Sequence, residues 1–454
     1  MRRFLLAALV SILYLSVFAD VTISEDKTSI TTYKFENFLY PSGPWEQCYP
    51  YPRIDLPDET FPVGISAKKD FKTVAIENER IKATFLPSHG GRLYKLFDKL
   101  SGKEVLYDTA STKPATLYSR GAGYITVLGG FKHGFPSYAH SPSDTIPWDY
   151  YTRKNQDGSV SFITWMTDLE TDLKLTVENI IREEASYVEF KITIENPTPY
   201  SRRFYYWLCC SMEQTDEVEF TFPADRMVMH GDMYGWPMRQ VIGWPIYDGV
   251  DYSFFSNWDD QQGLFQLKQQ EDFLGSYDRG KHEGIVRVFP HETAKGSKLW
   301  CFQRNNPPVK MYSSNPKIYY ELFAGLTESQ DDYTVMQPGK SVSWSEYWYP
   351  LNSTGGFIKA TKECALNVRK DAALNININA FLTDRRTSIR TELELLINGL
   401  KYPLPPQAET GGQFLKAKLS GSDLKPEDII EITVRDGKNK LINFKSNWGA
   451  VRNE

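Results

Sequence analysis

Apolar and polar residues alternate with a period of two in short runs along most of the chain, the pattern of strands that bury one face. Lys82-Ala83-Thr84-Phe85-Leu86, Ser161-Phe162-Ile163-Thr164-Trp165, Tyr187-Val188-Glu189-Phe190-Lys191-Ile192-Thr193-Ile194 and Phe204-Tyr205-Tyr206-Trp207 all read this way. Between such runs stand Asp157-Gly158, Asn196-Pro197 and Pro338-Gly339. Gly reaches positive φ without steric cost and Pro presets a turn, so these dipeptides predict tight connections. Helical periodicity never persists for more than a few turns. The expected class is all-β, a large antiparallel sandwich.

The pattern changes at Pro350-Leu351-Asn352-Ser353-Thr354-Gly355-Gly356, after which aromatics become scarce and Lys, Asn and Leu dominate. Residues 357–454 alternate again over Ala373 to Ala380 and Glu392 to Ile397, with Asn398-Gly399 and Asp436-Gly437 as hairpin turns. A boundary is therefore expected there, with a main body over 20–356 and a small immunoglobulin-like β-sandwich over 357–454 as an accessory domain.

The first nineteen residues follow another logic. Arg2 and Arg3 precede fourteen apolar or small residues from Phe4 to Val17, then Phe18-Ala19 before Asp20. This is the layout of a cleavable secretory signal, and the run is shorter than the ~20 residues that span a bilayer. Residues 1–19 are thus read as a signal peptide, the mature chain as secreted or periplasmic, with no membrane span after cleavage. Net charge is −5 and becomes −7 without the two arginines, which argues against nucleic acid as a partner. The five cysteines, Cys48, Cys209, Cys210, Cys301 and Cys364, show no CxxC spacing and predict neither a disulfide framework nor a zinc site. Gly-rich phosphate loops, a nucleophile elbow and HExxH are absent, so no cofactor is expected.

Aromatics form 14% of the chain, which suits a β-sheet core and equally suits a cleft where the C–H face of a sugar packs on a π-face. A narrower signal lies in Glu77-Asn78-Glu79-Arg80-Ile81-Lys82-Ala83-Thr84-Phe85-Leu86-Pro87-Ser88-His89-Gly90-Gly91-Arg92-Leu93. Physically it reads as a strand, a glycine pair permitting a tight turn, and a second strand. It also resembles the opening of galactose mutarotase-like domains. More narrowly, the chain is similar to a bacterial family of unknown function within that superfamily. The motifs are Pro50-Tyr51-Pro52, Gly90-Gly91-Arg92, Gly129-Gly130-Phe131 leading to His140, Phe204-Tyr205-Tyr206-Trp207, Gly275-Ser276-Tyr277, Tyr320-Glu321-Leu322-Phe323-Ala324-Gly325, and Pro338-Gly339 before Glu346-Tyr347-Trp348-Tyr349-Pro350. The resemblance implies a large antiparallel supersandwich and a saccharide ligand.

In sugar mutarotases the base is a Glu on a late strand ahead of a Pro-Gly turn, and Glu321 holds the similar position. The mutarotase acid is a His near Phe204 to Met212, where this chain has Tyr205-Tyr206-Trp207-Leu208-Cys209-Cys210. That departure points away from simple mutarotation. His133 and His140, in a stretch rich in turn residues, are the substitute acids; their spacing, with Asp144 and Asp149 nearby, matches no metal motif. Arg92 and Arg120 are candidates to hold a carboxylate or hydroxyls through a planar fork, with a structural clamp the alternative for Arg92. Trp148, Tyr150, His230, Trp236, Trp244 and His282 complete the expected sugar-binding set, while His291 reads as structural and His89 as less portable from relatives. The expected function is a secreted carbohydrate-active protein with Glu321 and a loop His as base and acid. Alternatives are a non-catalytic glycan-binding protein, a lyase eliminating across a uronic acid polymer with Arg92 or Arg120 neutralising the carboxylate, and a cell-surface assembly protein without a sugar role.

Overall fold

The computed structural model describes residues 20–46, 49–54, 66–115, 125–136, 141–230, 240–259, 261–302, 313–330, 332–384, 391–404 and 413–454. The expected signal peptide, Cys48, Arg120, His140 and Trp236 lie outside these residues. Three large sheets and two smaller ones account for most of the rest, and the helical segments are single 3-10 turns. Among the described residues no helix is long and apolar enough to cross a membrane.

The first large sheet runs in the order Lys103–Glu104, Arg92–Asp98, Ile81–Leu86, Ser66–Glu77, Thr22–Tyr33, Asp108–Ala115, Ile125–Gly129. Its pairings are antiparallel except that of Thr22–Tyr33 with Asp108–Ala115. The glycine turn joins two of these strands. Gly90 and Gly91 sit at φ +67° and +59°, and a Cβ on them would stand 2.8 Å from Asp144 O and 2.4 Å from Thr164 Oγ1, so both conformation and space demand glycine.

The second sheet positions the candidate site. Its order is Phe131–Gly134, Trp207–Glu213, Tyr319–Gly325, Gly296–Cys301, Gln262–Gln266, Arg226–Met229, Val241–Gly243, antiparallel throughout. The third, eight-stranded sheet places Asp149–Lys154 at one edge and Val218–Thr221 at the other, with Ser341–Asn352 near its centre. Inward residues of all three meet in one core: Val74 and Phe85 from the first, Leu208 and Leu322 from the second, Phe162, Phe190 and Trp348 from the third. Most aromatics are used here, as β-sheet packing favours.

Expected strands are found at Ile81–Leu86, Val160–Thr167 and Val188–Glu195. The Phe204 to Trp207 run differs. One strand ends at Phe204, the next begins at Trp207, and Tyr205 N donates to Pro136 O. The period-two facing continues through the break, with Phe204 and Tyr206 in the main core and Tyr205 and Trp207 on the other face.

Beyond residue 356 the chain forms two four-stranded antiparallel sheets. One is Lys359–Ala360, Cys364–Lys370, Asn375–Leu382, Phe414–Ser420; the other is Leu400–Tyr402, Thr391–Ile397, Ile429–Asp436, Asn439–Asn447. Asn398 and Gly399 take φ of +50° and +81° between paired Ile397 and Leu400, the expected hairpin. These sheets enclose a core of their own, including Leu366, Ile378, Leu395 and Ile432. A separate aromatic seam of Phe273, Tyr349, Phe357, Phe381 and Phe414 packs them against the eight-stranded sheet.

Candidate active site

Strand alternation gives the second sheet two distinct faces. Leu208, Cys210, Met212, Tyr320, Leu322 and Ala324 point into the main core. Their neighbours Trp207, Cys209 and Phe323 point the other way and cluster with Phe265, with Trp300 and Val228 packed against them. Two rows of cross-strand partners run over this second face. One passes from Ser211 through Glu321 and Trp300 to Gly263; the other passes from Lys132 through Cys209, Phe323 and Lys298 to Phe265.

Glu321 therefore lies inside an aromatic sheet face, 4% exposed. Burying a carboxylate costs several kcal/mol unless it is paired or hydrogen-bonded. Lys132 Nζ lies 3.9 Å from Glu321 Oε1. Cys209 hydrogen-bonds Glu321, and burial followed by the charge of Glu321 pushes its thiol well above the ordinary range, so it keeps its proton. Asp144, on the turn Pro142–Thr145, faces the same group. Burial pushes its carboxyl up to about 6 against the opposing pull of Lys132 and Arg92, and the charge of Glu321 adds to the rise.

The far half of the face is aromatic and cationic. Lys298 Nζ stands 5.0, 4.9 and 4.8 Å from the ring centres of Phe265, Trp300 and Phe323, and it donates to Gln330 Oε1 at 2.6 Å. His230 stacks on Phe265 at 5.3 Å and meets Trp300 edge-on at 5.5 Å. Of these rings, Trp300 and His230 are only half-buried. His230 N donates to Gly263 O, which extends the Glu321 row across the sheet. With strands ~4.8 Å apart, His230 and Glu321 stand about 14 Å apart along that row.

The structure brings Glu321 and His230 onto one face but sends other expected members elsewhere. His133 is a correction. Its stretch is a strand, not a loop, and Lys132 takes the Glu321 side, so His133 must point into the core. There its Nδ1 shares a hydrogen bond with Tyr206 OH at 2.9 Å, and burial followed by Arg92 lowers it to about 3. Arg92 is fully buried, and its guanidinium donates to the backbone carbonyls of His89, Gly129 and Asp144 at 2.9, 3.2 and 2.9 Å. It is a clamp rather than a ligand fork.

Trp148 is also core, stacked on His133 at 5.7 Å with its Nε1 donating to Ser143 O. Trp244 packs edge-on to Phe222 and donates to Phe222 O. Tyr150 hydrogen-bonds Glu25 on the outer edge of the eight-stranded sheet, and His282 occupies an exposed turn of that sheet at φ +58°. None of these four reaches the Glu321 face. His291 pairs with Asp272 at 2.6 Å, as its structural reading expected, and His89 is buried against Phe71. Lys132, Asp144, Cys209, Lys298 and Trp300 enter the site without having been selected. Among the described residues no group of three or more His, Cys, Asp or Glu is placed to hold a metal.

Residues 46–351 match the family described as domain of unknown function (DUF5107). A TPR-domain containing protein from Parabacteroides distasonis is similar in structure, with 20% identity and a TM-score of 0.64. The match covers 74% of this chain, and the chain spans 56% of that protein. A galactose mutarotase-like protein from Clostridium acetobutylicum matches at 12% identity and TM-score 0.46, covering 62% of this chain and 96% of that one. One from Lactobacillus casei matches at 13% identity and TM-score 0.44, covering 61% and 99%.

Proposed function

The chain belongs to the family of the domain of unknown function DUF5107, and from that premise we propose that it is a secreted carbohydrate-active protein whose saccharide lies across the face carrying Glu321 and Trp300. The observation that carries this reading is the cross-strand pairing of Glu321 with Trp300, a buried carboxyl beside a half-exposed indole. A pyranose offers both complements: an apolar C–H face for the ring and hydroxyls for the carboxyl. The motif resemblance to galactose mutarotase-like domains points the same way. Glu321 then acts as base toward a hydroxyl or carbon-bound proton, with Lys132 holding it in place. The amine of Lys298 extends the ligand class to acidic sugars, which keeps elimination on a uronic acid polymer as the second reading.

A glycan array with mass-spectrometric product analysis tests this on the mature chain and on Glu321→Gln. The expected result is saccharide binding by both proteins and turnover by the first alone. Full turnover by Glu321→Gln removes Glu321 from the chemistry, and no bound saccharide for the unaltered chain overturns the reading. An ultraviolet-absorbing product would select elimination.

A further inference from the structure

The turn Pro142–Thr145 is fixed firmly through its backbone while its carboxyl is left bare. Arg92 donates to Asp144 O at 2.9 Å, Trp148 Nε1 to Ser143 O at 2.8 Å, and Gly90 N to Ile146 O at 2.8 Å. The hydroxyl of Ser143 donates to Phe135 O. Gly90 presses so closely that a Cβ there would sit 2.8 Å from Asp144 O. Asp144 is 1% exposed, yet among the described residues neither of its carboxyl oxygens has a hydrogen-bond partner.

Buried polar atoms are nearly always partnered, and a bare buried carboxyl destabilises the fold that contains it. A buried acid kept for stability would have its carboxyl hydrogen-bonded, and among the described residues that of Asp144 is not. Rigid mounting with an unsatisfied group is what a ligand-directed side chain requires. The charged groups that face it are Lys132 on Phe131–Gly134, Arg92 on Arg92–Asp98 and Glu321 on Tyr319–Gly325. His89 and His133, close by, are both lowered to about 3 by burial and by Arg92, and so stay neutral.

Resting on the saccharide reading above, we propose that Asp144 is the second carboxyl of the site, donating its O–H to a saccharide oxygen while Glu321 accepts from a neighbouring hydroxyl or C–H. In any proton-transfer reaction the pair balances: Glu321 gains the proton that leaves one substrate atom, and Asp144 loses its proton to the substrate oxygen that receives the electron pair of the breaking bond. Lys132 faces both acids. A second carboxyl also supplies an acid to a chain whose run from Phe204 to Met212 holds no His.

Asp144→Asn keeps the shape and removes the acid, and Asp144→Ser provides a second variant. Both are compared with the unaltered full chain on the glycan array at pH 5, where the Asp144 carboxyl holds its proton, and by thermal unfolding from pH 4 to 8. Expected are array binding about tenfold weaker or worse, the scale of one hydrogen bond to a charged or acidic group, and a Tm for Asp144→Asn at pH 7.5 equal to or above that of the parent. Equal array binding by Asp144→Asn overturns the proposal, as does a Tm lowered by the Asn substitution, which would mark a structural residue. If the unaltered chain binds nothing, the saccharide reading fails and takes this one with it.

Discussion

Lys132 and Glu321 face each other at 3.9 Å across the strand that carries Cys209, with 7% and 5% of their side chains exposed. A pair so withdrawn from water depends on both members, because removing one leaves the other charge without compensation. Lys132→Met is therefore expected to lower unfolding free energy by about 3 kcal/mol in urea titration. The exposed pair Lys72–Glu25, at 2.9 Å with half of each side chain in solvent, provides the contrast, and Lys72→Met should cost far less than Lys132→Met. Adding Glu321→Leu to Lys132→Met should recover most of the loss. Equal losses for the two lysines would mean that the Glu321 face is open to water.

Trp300 and Gly263 form a matched couple in the same row. A Cβ on Gly263 would meet Trp300 Cε3 at 2.7 Å and the His230 Cβ and Lys298 Cε at 2.9 Å, so all three side chains lie down over the missing side chain. Gly263→Ala is expected to tilt Trp300 and His230, at a cost of about 1–3 kcal/mol from overpacking. It should also shift indole fluorescence and weaken glycan-array binding as much as Trp300→Ala. Unchanged array binding in both variants would remove this half of the face from the ligand site.

Much of the architecture was legible because period-two runs fix which residues face a core. Glu321 is the clearest case: a lone acid amid Tyr319, Tyr320, Leu322 and Phe323 reads as solvent-facing, paired or functional, and the sequence stops there. The same rule, applied to Phe131-Lys132-His133, would have separated Lys132 from His133 onto opposite faces. Turn residues crowd the run and make it read as a loop, yet its glycines serve positive φ at strand ends, +82° at Gly129 and +68° at Gly130. In the sequence Asp144 stands out only as an acid near His133 and His140. Nothing local marks it, since its isolation comes from the Arg92 clamp fifty-two residues away in sequence. Trp148 and Trp244 misled for the opposite reason: loop tryptophans look available, but an indole N–H satisfied by a nearby carbonyl buries readily.

Glu219 joins the C-terminal sheets to the main body and predicts an acid limit on stability. Its side chain is 2% exposed and contacts Arg279, Arg369 and Arg452 at 2.8, 2.7 and 3.6 Å. Burial alone would raise its carboxyl, but Arg369 and then Arg279 outweigh that and hold it below the usual range. The folded value is thus depressed, so the stabilisation is complete above the unfolded value near 4.5 and is lost as pH falls through the folded one. Acid unfolding of the parent should steepen below about pH 4.5, and Glu219→Gln should flatten that limb while lowering Tm at pH 7. Parallel acid limbs for the two proteins would show that the Glu219 contacts carry no net energy.

Arg287 and Glu346 make the deepest ion pair, Nε to Oε2 at 2.5 Å, and neither side chain is exposed. Phe289 covers the guanidinium at 3.6 Å, while Arg287 Nη2 and Glu346 Oε1 have no hydrogen-bond partner among the described residues. The pair lies behind the site sheet, near Tyr206, whose hydroxyl is pushed up by burial and then by Glu346. Tyr206 in turn holds His133. Half-satisfied charges in a core recover little more than their desolvation cost, so the pair is a poor source of stability although each member needs the other. Arg287→Met alone should destabilise by about 3–5 kcal/mol, and Arg287→Met with Glu346→Leu should return to within about 1 kcal/mol of the parent or exceed it. A urea double-mutant cycle measures both. If the double variant stays as unstable as the single one, the pair does more than neutralise itself, and the polar chain from Glu346 through Tyr206 to His133 must be contributing to the packing of the site strand Phe131–Gly134.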